Sequence, residues 1–121
     1  MFTHNLENES YESPIEVEYL NSESDDAYPA FNKDNSEIYF TSNRAGNFSI
    51  YKAITDNSKE IVEILSDKSP VSVETDTILS SGSDDKCPFI FQDFMVFTSD
   101  REGGFGGFDL YYSFFENEKW S

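Results

Sequence analysis

IYFTSNRAG at residues 38–46 returns as MVFTSDREG at residues 95–103, an offset of 57. Upstream, LNSESDD at 20–26 recurs as LSSGSDD at 79–85 with an offset of 59, and downstream FSIYKA at 48–53 recurs as FDLYYS at 108–113 with an offset of 60. Self-similarity of this kind marks an array of supersecondary units rather than a single irregular domain. The drift in offset places the length changes between the matched blocks, where loops absorb them. Pro29 and Pro88 each stand three residues after the second Asp of an SDD pair, and an aromatic-rich stretch follows both. Pro14, Val17 and Glu18 echo Pro70, Val73 and Glu74 more loosely.

Within each unit the pattern is that of strands. EIYFTS alternates apolar and polar residues between the turn-forming stretches KDNSE and NRAGN, and FSIYKAI reads as the next strand. IEVEYL at 15–20 is a further strand candidate. EIVEIL at 60–65 is another: its apolar spacing suits a strand or one or two helical turns, and its length and β-branched content favour the strand. The two prolines are expected at strand starts, where a missing N–H costs least. No long segment keeps apolar residues at helical spacing between caps. Twelve Phe and seven Tyr carry much of the apolar content, and these residues favour strands. The composition therefore predicts an all-β fold.

With 24 Asp and Glu against 8 Lys and Arg, the formal charge is −16, which repels nucleic-acid phosphates and anionic lipid surfaces. Such charge serves solubility, with an acidic face for cations or basic partners as the narrower reading. Cys87 is the one cysteine, so no intrachain disulfide forms, and beside Pro88 and Phe89 it reads as a small core residue. The opening MFTHNLENES has neither a cationic stretch nor an apolar run, so no signal peptide is read there. No window approaches the roughly 20 apolar residues of a membrane span.

An Asp three residues before Pro, an apolar strand, a strand ending in Phe-Thr-Ser, then Arg and Gly, then Asp-apolar-Tyr resembles the PD40, or WD40-like, repeat of TolB-type β-propellers. Residues 97–121 are similar to blades of cell-envelope propeller proteins of Bacteroidetes, some of which carry an OmpA-like domain. The resemblance implies a β-propeller fragment of about two blades, each an antiparallel four-stranded sheet. Residues 1–19 would be an N-terminal segment whose IEVEYL stretch closes a ring or belongs to a preceding blade. Residues 20–78 would form a first blade with an insertion between Asp56 and Thr75, and 79–121 a second, incomplete blade ending in mid-hairpin. Propellers close with about four to eight blades. The remainder would come from a longer protein, the reading that the mid-hairpin ending favours, or from further copies.

The motif positions that the resemblance marks as structural, with binding as a second role, are Asp26, Pro29, Ser42, Arg44, Asp85, Pro88, Ser99, Asp100, Arg101, Gly104, Gly107, Asp109 and Tyr111. The first copy departs from the pattern, with Asn43 in place of Asp100 and Ser49 in place of Asp109, and is expected to lack those carboxylate contacts. Arg44 and Arg101 read as structural forks to carboxylates or carbonyls of a neighbouring turn. Phe40 and Phe97 are both expected to face an inter-blade core.

Catalytic signals are weak by comparison. His4 is the only histidine, so a serine or Cys87 nucleophile has no evident base, and no GxSxG occurs. The GGFGG run at 103–107 lacks the third glycine and the helix of a phosphate-binding loop, and reads as a turn between strands. The SDD pairs lack the alternating order and central Gly of a Ca²⁺ loop and suit turn chemistry. Tyr112, Phe114, Phe115 and Trp120 either stack on sugars or partner side chains or fill an inter-blade interface. The expected function is a non-catalytic cell-envelope module for protein–protein interaction or scaffolding, without cofactor or metal. Its partner would be another envelope protein or the remaining blades of its own chain, with glycan as a further candidate, and neither nucleic acid nor a membrane span. The alternative is a carbohydrate-binding or hydrolase-associated propeller. The resemblance places the protein in the periplasm or cell envelope, with any export signal outside this chain.

Overall fold

The structure, a computed structural model, describes residues 13–66 and 72–121, together with the backbone at His4–Asn5 (β1) and Ser10–Tyr11 (β2), which pair antiparallel. The side chain of His4, Pro70 and the rest of 67–71 within the expected insertion lie outside the described residues.

The described residues form two antiparallel sheets of four strands, each a simple meander. The first runs β3 (Asp26–Phe31), β4 (Glu37–Ser42), β5 (Ser49–Ile54) and β6 (Val73–Thr75), paired in that order. The second runs β7 (Asp85–Phe91), β8 (Phe94–Ser99), β9 (Asp109–Glu116) and β10 (Lys119–Trp120), again in order. Registers repeat between them: Phe40 pairs with Tyr51 as Phe97 pairs with Tyr111, and Ile38 with Ala53 as Met95 with Ser113. The molecule is all-β, and its two sheets are successive blades of a β-propeller fragment. The first strand of the second blade, β7, lies against β3, β4 and β5 of the first.

Both first strands carry a bulge, between Ala27 and Ala30 and between Lys86 and Phe89. Pro29 and Pro88 sit inside these irregularities rather than at strand starts, which corrects the expectation from sequence. A proline has no N–H for the ladder, and a bulge removes its position from the pairing. The residue before each proline turns left-handed, Tyr28 at φ 55° and Cys87 at φ 58°. Cys87 is accordingly half-buried at the bulge instead of being a core residue, and its N–H donates to Thr41 Oγ1 of the first blade at 3.1 Å.

Two other strand expectations fail. Ile15–Leu20 forms no strand: Leu20 and Asn21 N–H both donate to the Val17 carbonyl in a turn, and Val17 and Leu20 pack onto the first blade. Residues 61–65 form the short helix α1 (Ile61–Leu65), in which Ile64 is buried and Leu65 packs against the blade while Ile61 and Val62 stay exposed. Both stretches pack a few apolar side chains onto a face of the first blade instead of pairing with a sheet edge.

Two apolar clusters result. Tyr39 and Ile50 of the first blade pack with Leu79, Met95, Phe97 and Trp120 of the second segment, forming the core between blades. Trp120 Nε1 donates to the Tyr39 hydroxyl at 2.9 Å, and the rings meet edge-on. Burial holds the Tyr39 hydroxyl well above its ordinary pKa, so it stays protonated there. On the opposite face of the first blade, Leu20, Ile38, Phe40, Tyr51 and Ala53 form the second cluster. Among the described residues no helix is long and apolar enough to cross a membrane.

Candidate functional site

The repeated Ser-Asp and Ser-x-Arg positions form one clasp per blade. Asp26 accepts from Ser22 N–H at 2.7 Å and from Arg44 Nη2 at 2.9 Å. Arg44 Nη2 also donates to the Leu20 carbonyl at 2.7 Å, its Nε donates to Ser42 Oγ at 3.0 Å, and its guanidinium lies over Phe40 and Tyr51. In the second blade Asp85 accepts from Ser81 N–H at 2.9 Å, Ser99 Oγ at 2.7 Å and Arg101 Nη2 at 2.9 Å. Arg101 reaches the Leu79 carbonyl at 2.8 Å and covers Phe97 and Tyr111, which stack on each other. Each clasp ties the loop entering a blade to the end of its second strand. Burial opposes ionisation of Asp26, but the Ser22 N–H and the Ser42, Arg44 and Ser22 side chains outweigh it and hold its carboxyl at about 2.

The remaining motif residues act in the loops. Asp100 Oδ1 accepts the Asp84 N–H at 2.8 Å, and Asn43 Oδ1 accepts the Asp25 N–H at 2.9 Å. Asn43 therefore makes the contact that the first copy was expected to lose, because an amide oxygen accepts as a carboxylate does. Asp109 accepts from Gly106 N–H at 3.1 Å, and its carboxylate lies so close to Gly104 that a Cβ there would displace it. The Ser49 hydroxyl, at the matching position, accepts from Asn47 Nδ2 at 3.5 Å. Asn47 turns instead to the next blade, donating to the Ser83 carbonyl at 2.7 Å. Gly107 has open space around it, and Phe105 between the glycines is fully exposed.

The residues that stand out functionally lie on the far face of the second blade. Ile50, covered by the second blade, is 0% exposed, while Leu110 at the equivalent position is 74% exposed. Tyr39 is 1% exposed and its counterpart Val96 36%. Phe89, Phe94, Tyr112 and Phe114 share this outward face, with the rings of Phe94 and Phe114 4.5 Å apart. Trp120, grouped with Tyr112 and Phe114 in the sequence, is instead buried between the blades, and Phe115 is half-buried beside it. At the other end of the fragment, Leu20, Pro29, Phe31, Ile38 and Phe40 line an apolar groove on the first blade. Pro29 is exposed there, whereas Pro88, behind the first blade, is buried.

Of this face the sequence singles out Tyr112 and Phe114 but not Phe89, Phe94, Val96 or Leu110, although FMVFTS and DLYYSFF place apolar residues on both sides of their strands, the pattern of a sheet covered on both faces. Among the described residues no three His, Cys, Asp or Glu side chains are grouped to hold a metal ion. The sequence matches no protein-family model, and no curated protein matches it.

Proposed function

We propose that this chain is a non-catalytic propeller module of the cell envelope that works by binding protein, as an interaction or scaffolding unit. The observation that carries this reading is the apolar face of the second blade, where Leu110 is 74% exposed at a position that the first blade buries completely. Contiguous apolar surface of this kind is characteristic of interaction sites, and aromatic residues are enriched in protein interfaces. Asp26, Asp85, Arg44 and Arg101 are engaged in the two clasps, which supports a structural role for them. Placement in the envelope rests on the resemblance to PD40-type blades. The exposed rings of Tyr112 and Phe114 favour carbohydrate stacking as the second reading.

The test is a photoreactive residue at Leu110 in the producing cell. Cross-links to polypeptide that disappear in a Val96→Asp background support the proposal. A face that traps no polypeptide, in a protein that binds saturably on a glycan array, moves the assignment to carbohydrate recognition.

A further inference from the structure

We propose that the partner of the exposed face is a second copy of this chain, docked head to tail through its first blade. This rests on the reading above, that the face binds protein, and names the protein. The interface between the two blades is the template, and each half of it occurs twice in the chain.

The covering half, on the first blade, consists of Tyr39, Ile50, Thr41 and the backbone of Phe48. Its counterpart on the second blade is Val96, Leu110, Thr98 and Phe108, of which Val96, Leu110 and Phe108 are exposed. The receiving half, on the second blade, consists of Leu79, Met95, Phe97 and the segment Asp84–Cys87 at the start of β7. Its counterpart on the first blade is Leu20, Ile38 and Phe40, against which Val17 and Leu65 already pack, and the segment Asp25–Tyr28, whose Asp25 and Tyr28 are exposed beside the apolar groove.

The polar seam is duplicated as well. Phe48 N–H donates to Asp84 Oδ1 at 2.8 Å, and Asp85 N–H donates to the Phe48 carbonyl at 2.9 Å. Asp25 and Asp26 hold those positions for the Phe108 of another copy. The left-handed turn that aims the Cys87 N–H at Thr41 recurs at Tyr28, and Thr98 stands where Thr41 does. The loop carrying Phe105 occupies the place from which Asn47 crosses to Ser83. A surface and its complement on one molecule make a heterologous contact, which closes into a ring when the rotation permits. Propellers of about four to eight blades would set a ring built from this two-blade chain alone at about two to four copies. A charge of −16 on each copy opposes the contact, so added salt is expected to favour assembly.

Light scattering and native mass spectrometry on the whole chain test this. The wild type is expected at about two to four multiples of 13.9 kDa, increasingly so as salt is raised. Leu110→Asp, at a largely exposed side chain, and Ala27→Glu, on the groove, should each fall to one multiple with unchanged circular dichroism. Mixed together, they should form a one-to-one dimer and nothing larger, because the mixture retains a single competent interface. A wild type that stays monomeric at high concentration and salt, single variants that remain assembled, or a mixture that stays monomeric would overturn the proposal. A monomer whose residue 110 still cross-links a different polypeptide in the cell defeats self-assembly and leaves the protein-binding reading standing. A monomer that cross-links no polypeptide defeats both.

Discussion

Asp85 is a carboxylate with no solvent exposure, and what makes its burial tolerable is the set of donors aimed at it from Ser81, Ser99 and Arg101. Removing one partner of a buried pair leaves an uncompensated charge. Arg101→Ala is therefore expected to cost about 3 kcal/mol in urea unfolding, with little recovery in Arg101→Lys, since an ammonium cannot span Ser99, Asp85 and the Leu79 carbonyl together. An unchanged midpoint would contradict the clasp. Asp26 gives a pH signature. Its folded pKa of about 2 lies below the ordinary carboxylate value, so its stabilisation is complete above about pH 4 and is lost as pH falls toward 2. Melting temperatures between pH 5 and 2 should fall less in Asp26→Asn than in the wild type, and equal slopes would refute the assignment. The clasp residues were legible in the sequence because both copies repeat them. Cys87 was misread because its position is set by a left-handed bulge, which depends on the neighbouring proline and not on the burial preference of cysteine.

At the level of elements, the strands β4, β5, β8 and β9 coincide with the alternating segments, since period-two alternation and aromatic content agree there. Residues 15–20 and 60–65 read as strands, the second on its length and β-branched content. Composition does not say whether a segment joins a sheet edge or packs on a face, and these two pack on a face of the first blade. The glycine-rich turn is more specific than a need for flexibility. A side chain at Gly104 would displace the Asp109 carboxylate from its bond to the Gly106 N–H. Gly104→Ala should destabilise by about 1–3 kcal/mol through overpacking. Asp109→Ser, which installs the first copy's residue, should relieve most of that cost in the double variant. Additive effects in a double-mutant cycle followed by thermal melts would show that the two positions do not meet.

For the whole molecule, repeat spacing gave the two units and their order, because equal local pattern carries equal pairing. Which faces remain uncovered could not be read from it, since that depends on how the units stack: Tyr39 and Ile50 disappear beneath the second blade, while among the described residues no blade covers Val96 and Leu110. The account thus turns on whether the outward face of the second blade is covered in the protein as it exists in its host. Hydroxyl-radical footprinting in the producing cell measures this directly, with Ile54, 72% exposed and away from that face, as the internal standard. Leu110, Tyr112 and Phe114 are predicted to oxidise far more slowly than Ile54, and to become reactive when Val96→Asp is introduced. Oxidation of these three side chains at the rate their exposure in the isolated chain dictates would contradict the account.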